Sequence, residues 1–205
     1  DDKKKFFLDI NNLRKKIFVP ITLGGGIRSL NDAKMCFLNG ADKILLNSSI
    51  YDNELLQNIS SLYGEQAISV MIDYIRSDLN NENKIYVEGG SKYKLNMSNF
   101  FENNLISLPC GEIILNSIDD DGTGNGLDYN IIKKIPKNFN KPILLMGGAG
   151  MAEHISMTLK MNRVSGVVTA NLFNFLGTGL EISRKKSIEQ GINLAKFNTL
   201  AEIKK

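Results

Sequence analysis

The stretch Val19-Pro-Ile-Thr-Leu-Gly-Gly-Gly-Ile returns later in the chain as Lys141-Pro-Ile-Leu-Leu-Met-Gly-Gly-Ala. In both copies a proline stands near the start of an apolar run, and a glycine pair closes it. With one inserted residue, the match continues from Ile44-Leu-Leu-Asn-Ser to Val167-Val-Thr-Ala-Asn. This internal repeat predicts an α/β fold, a (β/α)8 TIM barrel of duplicated half-barrels, because a doubly wound sheet would not need the symmetry.

Short β-branched runs alternate with longer amphipathic stretches, which is typical of parallel strands joined by crossover helices. We expect six strands, at 18–23, 43–47, 67–73, 112–116, 142–146 and 166–170. We expect helices at 3–16, 31–39, 53–63, 98–103, 129–135, 153–161 and 179–190. The chain is interpreted as a single domain, 1–205, with an inserted loop at 74–97 that contains a hairpin of 84–88 and 92–95.

The number of predicted strands falls short of a closed parallel barrel, which requires eight. Residues 7–10 could form an early strand, but too few residues separate them from the next strand to hold a crossover helix. We therefore expect the first two strands to lie upstream of Asp1. Without them the barrel is incomplete, and we expect the chain in that form to be inactive.

Composition excludes several classes of protein. The 205 residues are 42% hydrophobic and 23% charged with a formal net charge of +3, which is typical of a soluble globular domain and predicts no nucleic-acid surface. We find no apolar run of membrane-spanning length and no leader, so we expect no membrane span and a cytoplasmic protein. Cys36 and Cys110 lack metal-ligand spacing, and we expect reduced thiols, no metal and no cofactor.

Two glycine pairs, Gly25-Gly26 and Gly147-Gly148, follow predicted strands and precede predicted helices. Bare backbone amides in such loops can bind phosphate, although glycines also serve simple turns. In barrels the next loop often completes a phosphate site, and here those loops carry Asn47-Ser48 and Ala170-Asn171. Two facing sites of this kind suit a small bisphosphorylated substrate.

Acidic residues follow two predicted strands. Asp73 closes an apolar run and should emerge at the carboxyl-terminal mouth of the barrel, where chemistry occurs, unless it only caps a turn. Asp119, Asp120 and Asp121 follow an apolar run and precede Gly122, which predicts a strand that ends in a tight turn at the edge of an active site, although a solvated acidic turn is the alternative. On an extended chain Asp119 and Asp121 face the same way, which predicts that Asp120 faces away and matters least.

Charged residues also begin two predicted strands, at the opposite end of the barrel. Lys43 opens one strand and Glu112 opens another. A structural ion pair between them is a sufficient explanation. The lone His154 lies inside a predicted helix and is interpreted as a structural or surface residue, not as a catalytic base.

An ordered set of motifs runs through the chain: Gly24-Gly-Gly-Ile-Arg-Ser-Leu, Gly40-Ala-Asp-Lys-Ile, Asn47-Ser, Ile72-Asp, Gly111-Glu-Ile-Ile-Leu, Asp119–Thr123, Gly126, Asp128 and Gly147-Gly-Ala-Gly. Together these motifs resemble the cyclase subunit of imidazole glycerol phosphate synthase, an enzyme of histidine biosynthesis. The resemblance runs from residue 13 to residue 197. The order of the motifs is far more specific than any one of them.

The resemblance implies a lyase that takes ammonia from a glutamine amidotransferase partner, the glutaminase subunit. Ammonia joins a bisphosphorylated phosphoribulosyl-formimino aminoimidazole carboxamide ribonucleotide, and the products are imidazole glycerol phosphate and an aminoimidazole carboxamide ribotide. The resemblance implies that Asp121 is one of two catalytic aspartates, a general acid or base in ammonia addition and ring closure. It implies that Asp73 is a supporting active-site acid.

The resemblance also implies binding residues. The first phosphate site, as we term it, comprises Gly25, Gly26, Asn47 and Ser48. The second phosphate site comprises Gly122, Gly147, Gly148, Ala170 and Asn171. Lys43 and Glu112 correspond to half of a charged gate through which ammonia enters the barrel, and Asp42 lies where the partner docks.

Several departures from the family pattern leave alternatives open. The family's other catalytic aspartate lies on the first strand, Asn171 replaces a usual serine, and Asp120 replaces a common basic residue. Asn116-Ser-Ile and the stretch 171–180 look closer to paralogues that supply ammonia for amidation of a nucleotide-linked or acidic surface sugar. A non-catalytic truncated remnant is a further alternative. The related single-chain sugar isomerase of histidine synthesis is a weaker one, because the charged gate favours the ammonia-using member.

Overall fold

The structure, a computed structural model, is built on a sheet of six parallel strands. It describes residues 2–77, 82–170 and 179–194. The parallel strands lie in the order β1-β2-β3-β6-β7-β8 and form a half-barrel, with an antiparallel pair, β4 and β5, attached to β3. The bounds are β1 Thr22–Gly24, β2 Lys43–Leu46, β3 Ile68–Ile75, β4 Lys84–Val87, β5 Lys92–Asn96, β6 Glu112–Ser117, β7 Ile143–Met146 and β8 Gly166–Val168. The predicted parallel α/β class is confirmed.

Helices connect the strands in the predicted alternation. Their bounds are α1 Asp2–Arg14, α2 Leu30–Leu38, α3 Asn53–Tyr63, α4 Met97–Asn103, α5 Ile131–Lys134, α6 Ala152–Leu159 and α7 Gly179–Glu189. α5 is shorter than the predicted helix 129–135, because Ile135 precedes Pro136 and adopts extended backbone. In the described part of the chain, no helix is long and apolar enough to cross a membrane.

The first strand starts later than the sequence predicts. The apolar run begins at Phe18, but β1 begins only at Thr22. Pro20 has no N–H to donate to a strand ladder, and Phe18 is 97% exposed. Among the described strands, β1 and β8 are the two ends of the parallel order and each pairs on one side. The placement of two further strands upstream of Asp1 stays a prediction.

Alternation along the strands separates the two faces of the sheet. Every second side chain belongs to the outer face, which forms one core with the helices, and these residues are at most 5% exposed: Leu23, Ile44, Leu46, Ile68, Val70, Ile72, Tyr74, Ile113, Leu115, Ile143 and Leu145. The residues between them therefore occupy the inner face. Burial of the outer face decides which side chains line the barrel interior.

The inner face repeats a polar, apolar, polar order on three adjacent strands, β2, β3 and β6. The lower polar cluster comprises Lys43, Ser69 and Glu112, at or next to the amino ends of the strands. The apolar band comprises Leu45, Met71 and Ile114. The upper polar cluster, at the carboxyl ends, comprises Asn47, Asp73 and Asn116. Because active sites of β/α barrels form at the carboxyl ends of the strands, the upper polar cluster is the candidate active site.

A hairpin extends the sheet beyond the end of β2. β2 pairs with β3 at Ile68–Val70, and β4 pairs with β3 further along, at Asp73–Ile75. In the turn after β4, the Glu88 N–H donates to Ser48 Oγ at 3.0 Å. A Cβ on Gly90 in the same turn would lie 3.2 Å from Ile118 Cδ1. The turn therefore spans the loops that follow β2 and β6.

The two repeated glycine pairs share backbone geometry but not surroundings. Their φ angles are 96° and 68° at Gly25 and Gly26, and 94° at both Gly147 and Gly148. A Cβ on either Gly25 or Gly26 would meet nothing within 4 Å, whereas a Cβ on Gly148 would lie 2.0 Å from the Gly126 carbonyl oxygen. The second pair is therefore required where the loop after β7 packs against the loop after β6.

We predict that Gly148→Ala destabilises the chain by about 2 kcal/mol or more, because it adds a backbone clash to the left-handed φ penalty. Gly122→Ala is the matched control: its φ is +76°, but a Cβ there would meet nothing within 4 Å. Its cost should be about 1 kcal/mol. Urea denaturation of both variants measures the difference, and equal costs would contradict the packing role of Gly148.

Candidate active site at the carboxyl ends of the strands

Asp73 is the centre of the upper polar cluster. Its side chain is held by two amides: Asn116 Nδ2 donates to Oδ1 at 2.9 Å, and Asn47 Nδ2 donates to Oδ2 at 3.1 Å. Asp73 and Asn116 are 7% and 8% exposed. Tyr86 of β4 is the register partner of Asp73. The carboxyl group is therefore buried and fixed in orientation at the mouth of the half-barrel.

Burial raises the pKa of Asp73 above its ordinary value. The hydrogen bonds from Asn116 and Asn47 oppose this shift, and the negative charge of Asp121 adds to it. Since folding raises this pKa, the folded chain binds the proton more tightly than the unfolded chain does. The contribution of Asp73 to the free energy of unfolding therefore falls as the pH rises from the unfolded pKa through the folded one.

Residues 118–123 form a hydrogen-bonded turn, as predicted, so the alternation of an extended chain that was used to rank the three acids does not apply. Asp120 is the buried member of the acidic run, 8% exposed. Its carboxylate accepts from Ser117 Oγ at 2.6 Å and from Arg76 at 2.7 Å. The Asp120 carbonyl accepts from the Thr123 N–H and hydroxyl. The prediction that Asp120 matters least is wrong for the structure of the turn, because Asp120 holds it together.

Asp119 and Asp121 remain exposed on either side of that anchor. Asp119 accepts the Arg76 backbone N–H at 2.7 Å, which ties the turn to the end of β3. Asp121 is close enough to raise the pKa of Asp73 through its charge. The two predicted catalytic acids therefore interact electrostatically, and Asp73 is buried whereas Asp121 is exposed to solvent.

The first phosphate site gathers exposed glycines and two hydroxyl or amide side chains. Gly25 and Gly26 are exposed, and their left-handed backbone leaves their surroundings open. Asn47 is already engaged, because its Nδ2 also donates to the Met71 carbonyl at 3.0 Å. The Asp32 carboxylate accepts from the Arg28 N–H and the Ser29 hydroxyl at the start of α2. Because a carboxylate already occupies the start of α2, we expect an anion to bind at the glycine loop and not at the amino end of that helix.

The second phosphate site is only partly described. Gly122 is exposed in the acidic turn, and Gly147 and Gly148 are buried against the neighbouring loop. Ala170 is exposed at the end of the described segment, and Asn171 lies outside the described residues. Phosphate binding by this set, as by the first, stays a prediction.

His154 and the cysteines have structural surroundings. His154 Nδ1 accepts the Gly150 N–H at 3.1 Å, and its ring lies over Gly126. Cys36 and Cys110 are buried free thiols. Among the described residues no group of three or more metal-binding side chains comes together.

The lower polar cluster is linked across three strands. Lys43 Nζ lies 2.6 Å from Glu112 Oε2, and the Ser69 hydroxyl donates to Glu112 Oε1. The side chains of Lys43 and Glu112 are 32% and 17% exposed. The predicted ion pair between Lys43 and Glu112 is therefore present, and its use as an ammonia gate stays a prediction.

Asp42 lies at the same lower end and has a partner within the chain. Arg14 Nη1 donates to Asp42 Oδ2 at 2.9 Å, and the Ile21 N–H donates to the same oxygen at 2.8 Å. The Arg14 hydrogen bond holds the pKa of Asp42 below its ordinary value. Asp42 thus joins α1 to the segment before β1. Docking of a partner at Asp42 stays a prediction.

Three residues make contacts that the sequence reasoning did not predict. Arg76 braces the acidic turn, Ser69 braces Glu112, and Asn116 holds Asp73. A signal for two of them exists in the sequence: Ser69 stands four residues before Asp73, and Asn116 four residues after Glu112. Strand alternation places each pair on one face. Arg76 has no comparable local signal.

This arrangement defines an α/β protein whose parallel sheet forms a half-barrel, consistent with a (β/α)8 barrel, with acids and glycine loops gathered at the carboxyl ends of the strands. The model of the histidine biosynthesis protein family matches residues 2–178. The chain belongs to that family.

The chain is similar to named relatives over most of its length. An imidazole glycerol phosphate synthase subunit of Parasynechococcus marenigrum, provisionally named hisF2, is 38% identical over 203 residues, 98% of this chain and 74% of the relative. The corresponding subunits HisF of Leptospira biflexa and Streptococcus mutans are 32% and 31% identical. Those alignments cover 94% and 90% of this chain, and 76% and 74% of the relatives. The predicted resemblance is confirmed, and these names lend the sugar-amidation alternative no support.

We predict opposite changes in the pKa of Asp73 for two variants. Asp121→Asn should lower it, because a neighbouring negative charge is removed, and Asn116→Ala should raise it, because a hydrogen bond to the carboxylate is lost. Carboxyl 13C NMR titration measures both. Asp9→Asn, which removes an exposed acid on α1, is the control and should leave the pKa of Asp73 unchanged. A pKa insensitive to both test variants would contradict the described geometry.

Proposed function

We propose that the protein is a cyclase subunit of the imidazole glycerol phosphate synthase type. In this proposal it joins ammonia to the bisphosphorylated phosphoribulosyl-formimino aminoimidazole carboxamide ribonucleotide and releases imidazole glycerol phosphate. The named relatives are subunits of that synthase. The observation that carries the proposal for this chain is the buried carboxyl group of Asp73, held by two amides at the mouth of the half-barrel.

Asp73 and Asp121 divide the acid and base work in this proposal. A buried carboxyl with a raised pKa can accept and return a proton at a pH nearer neutrality than an ordinary aspartate can. The negative charge of Asp121 adds to this shift and so favours proton uptake by Asp73. Asp120 positions Asp121 through the Ser117 and Arg76 contacts. Burial thus favours Asp73 as the group that titrates.

Substrate binding is assigned to the two phosphate sites. The open, left-handed glycines of the first site leave space for a phosphate, and Ser48 lies under the turn of the hairpin. Gly122 leaves comparable space beside Asp121. A substrate with a phosphate at each end would therefore extend across the mouth, with its middle over the upper polar cluster.

Ammonia is proposed to come from a glutaminase partner at the lower end of the strands. The lower polar cluster lies there, and the apolar band separates it from the upper polar cluster. An uncharged molecule of ammonia can cross such a band, whereas an ammonium ion would have to shed its hydration. Asp42, near the same end, is the proposed docking residue.

The decisive experiment mixes the natural full-length protein with ammonium chloride and the proposed substrate, and measures imidazole glycerol phosphate by mass spectrometry. Asp73→Asn should lower kcat by about 100-fold or more, since a general acid or base is removed. Asp9→Asn should leave kcat unchanged. A well-folded protein that gives no product would refute the proposed activity, and an unchanged kcat in Asp73→Asn would refute the role of Asp73.

The gate assignment predicts a difference between two ammonia sources. Lys43→Met should reduce turnover driven by glutamine and the partner more than turnover driven by ammonium chloride, because free ammonia can also reach the site from the open mouth. Lys141→Met is the matched control, since Lys141 is ion-paired with Glu65 at 2.9 Å before β7. Equal loss with both ammonia sources in Lys43→Met would contradict the gate.

A further inference from the structure

The upper polar cluster contains one side-chain acceptor that no described residue uses. Asn116 Oδ1 is shielded from solvent and has no hydrogen-bond partner among the described residues. Its neighbours are engaged: both Asp73 oxygens accept from amides, and Asn47 Oδ1 accepts from the Ser48 hydroxyl at 3.3 Å. A buried acceptor without a donor is costly, because it loses its hydration and gains no hydrogen bond, so its presence in a folded protein calls for an explanation such as a ligand.

The orientation of this amide is determined by its partner. Asn116 Nδ2 donates to the Asp73 carboxylate, which can only accept while it is ionised. Turning the amide over would place Oδ1 against a carboxylate oxygen and repel it. The carbonyl of Asn116 is therefore held away from Asp73 and stays available for a donor from outside the protein.

The burial of Asn116 and the path to it restrict which hydrogen-bond donor can reach Oδ1. Asn116 is 8% exposed, so the group that reaches Oδ1 must be small or must come along the inner face. On its own strand, Ile114 of the apolar band and Glu112 of the lower polar cluster precede it at alternate positions. A small, neutral molecule with several N–H bonds fits these conditions.

We propose that Asn116 Oδ1 is a docking acceptor for ammonia, which it receives through an N–H bond at the upper end of the apolar band. This inference rests on the proposed function, which supplies ammonia to this site. Donation of one N–H to Asn116 leaves the lone pair of ammonia free to face the substrate. Asp73, whose oxygens already accept from two amides, is left for proton transfer. Asn116 is thus a binding and positioning residue for the nitrogen donor.

The test separates the affinity for ammonia from the affinity for the substrate. With the natural full-length protein, KM is measured for ammonium chloride and for the proposed substrate at one pH. Asn116→Leu should raise KM for ammonia by about 2- to 10-fold, the worth of one hydrogen bond. KM for the substrate should stay within about 2-fold. Asn116→Ser, whose hydroxyl can accept, should recover part of the loss and carries the test if the leucine variant does not fold.

Asn47→Ala is the matched control, because it also removes one amide donor from Asp73. It should raise KM for the substrate and leave KM for ammonia unchanged. An unchanged KM for ammonia in both Asn116 variants would overturn the inference while the proposed function stands. A rise in KM for the substrate instead would assign Oδ1 to the substrate and would also overturn it. Absence of any turnover by the unmodified protein would overturn both.

Discussion

Burial of the outer face of the parallel sheet is the constraint on which the rest of the structure depends. Ile68, Val70 and Ile72 must lie against the helices, because leaving them in water would forfeit about 1.5–3 kcal/mol for each side chain. A slip of one residue would turn every side chain of β3 to the opposite face. The same requirement holds for β2 and β6. The polar residues between the apolar ones are therefore fixed on the inner face, in two clusters with an apolar band between them.

The loops at the carboxyl ends convert this frame into a site. Asp120 and Arg76 hold the acidic turn against the end of β3, which leaves Asp121 exposed and electrostatically coupled to Asp73. Close contact between Gly126 and Gly148 joins the loops after β6 and β7. The hairpin of β4 and β5 then reaches over the mouth. The acids, the glycine loops and the hairpin over the mouth thus come from segments that are distant in the sequence. Each of them is positioned by backbone packing.

The sequence was most informative where a signal is local or repeated. The six parallel strands follow from apolar runs and glycine punctuation, and the family follows from ordered motifs. Local reasoning failed at Phe18, where the start of an apolar run around Pro20 lies outside the sheet, and at Asp120, where strand alternation does not apply within the turn. It also predicted no contact for Asn116 or Ser69. Their importance lies in single contacts to residues on neighbouring strands, and a single sequence records no such contact.

By itself the sequence determined the class of fold, the family and the choice of Asp73, Asp121, Lys43 and Glu112, because alternation and motif order are properties of the chain. The tertiary structure alone decided the surroundings of those residues. It buried Asp73 between two amides, left Asp121 in solvent and paired Lys43 with Glu112. Within the described part of the chain, it also left one amide oxygen of Asn116 without a donor. These outcomes depend on distances between strands, which hydrogen bonding and core packing set only when the chain folds.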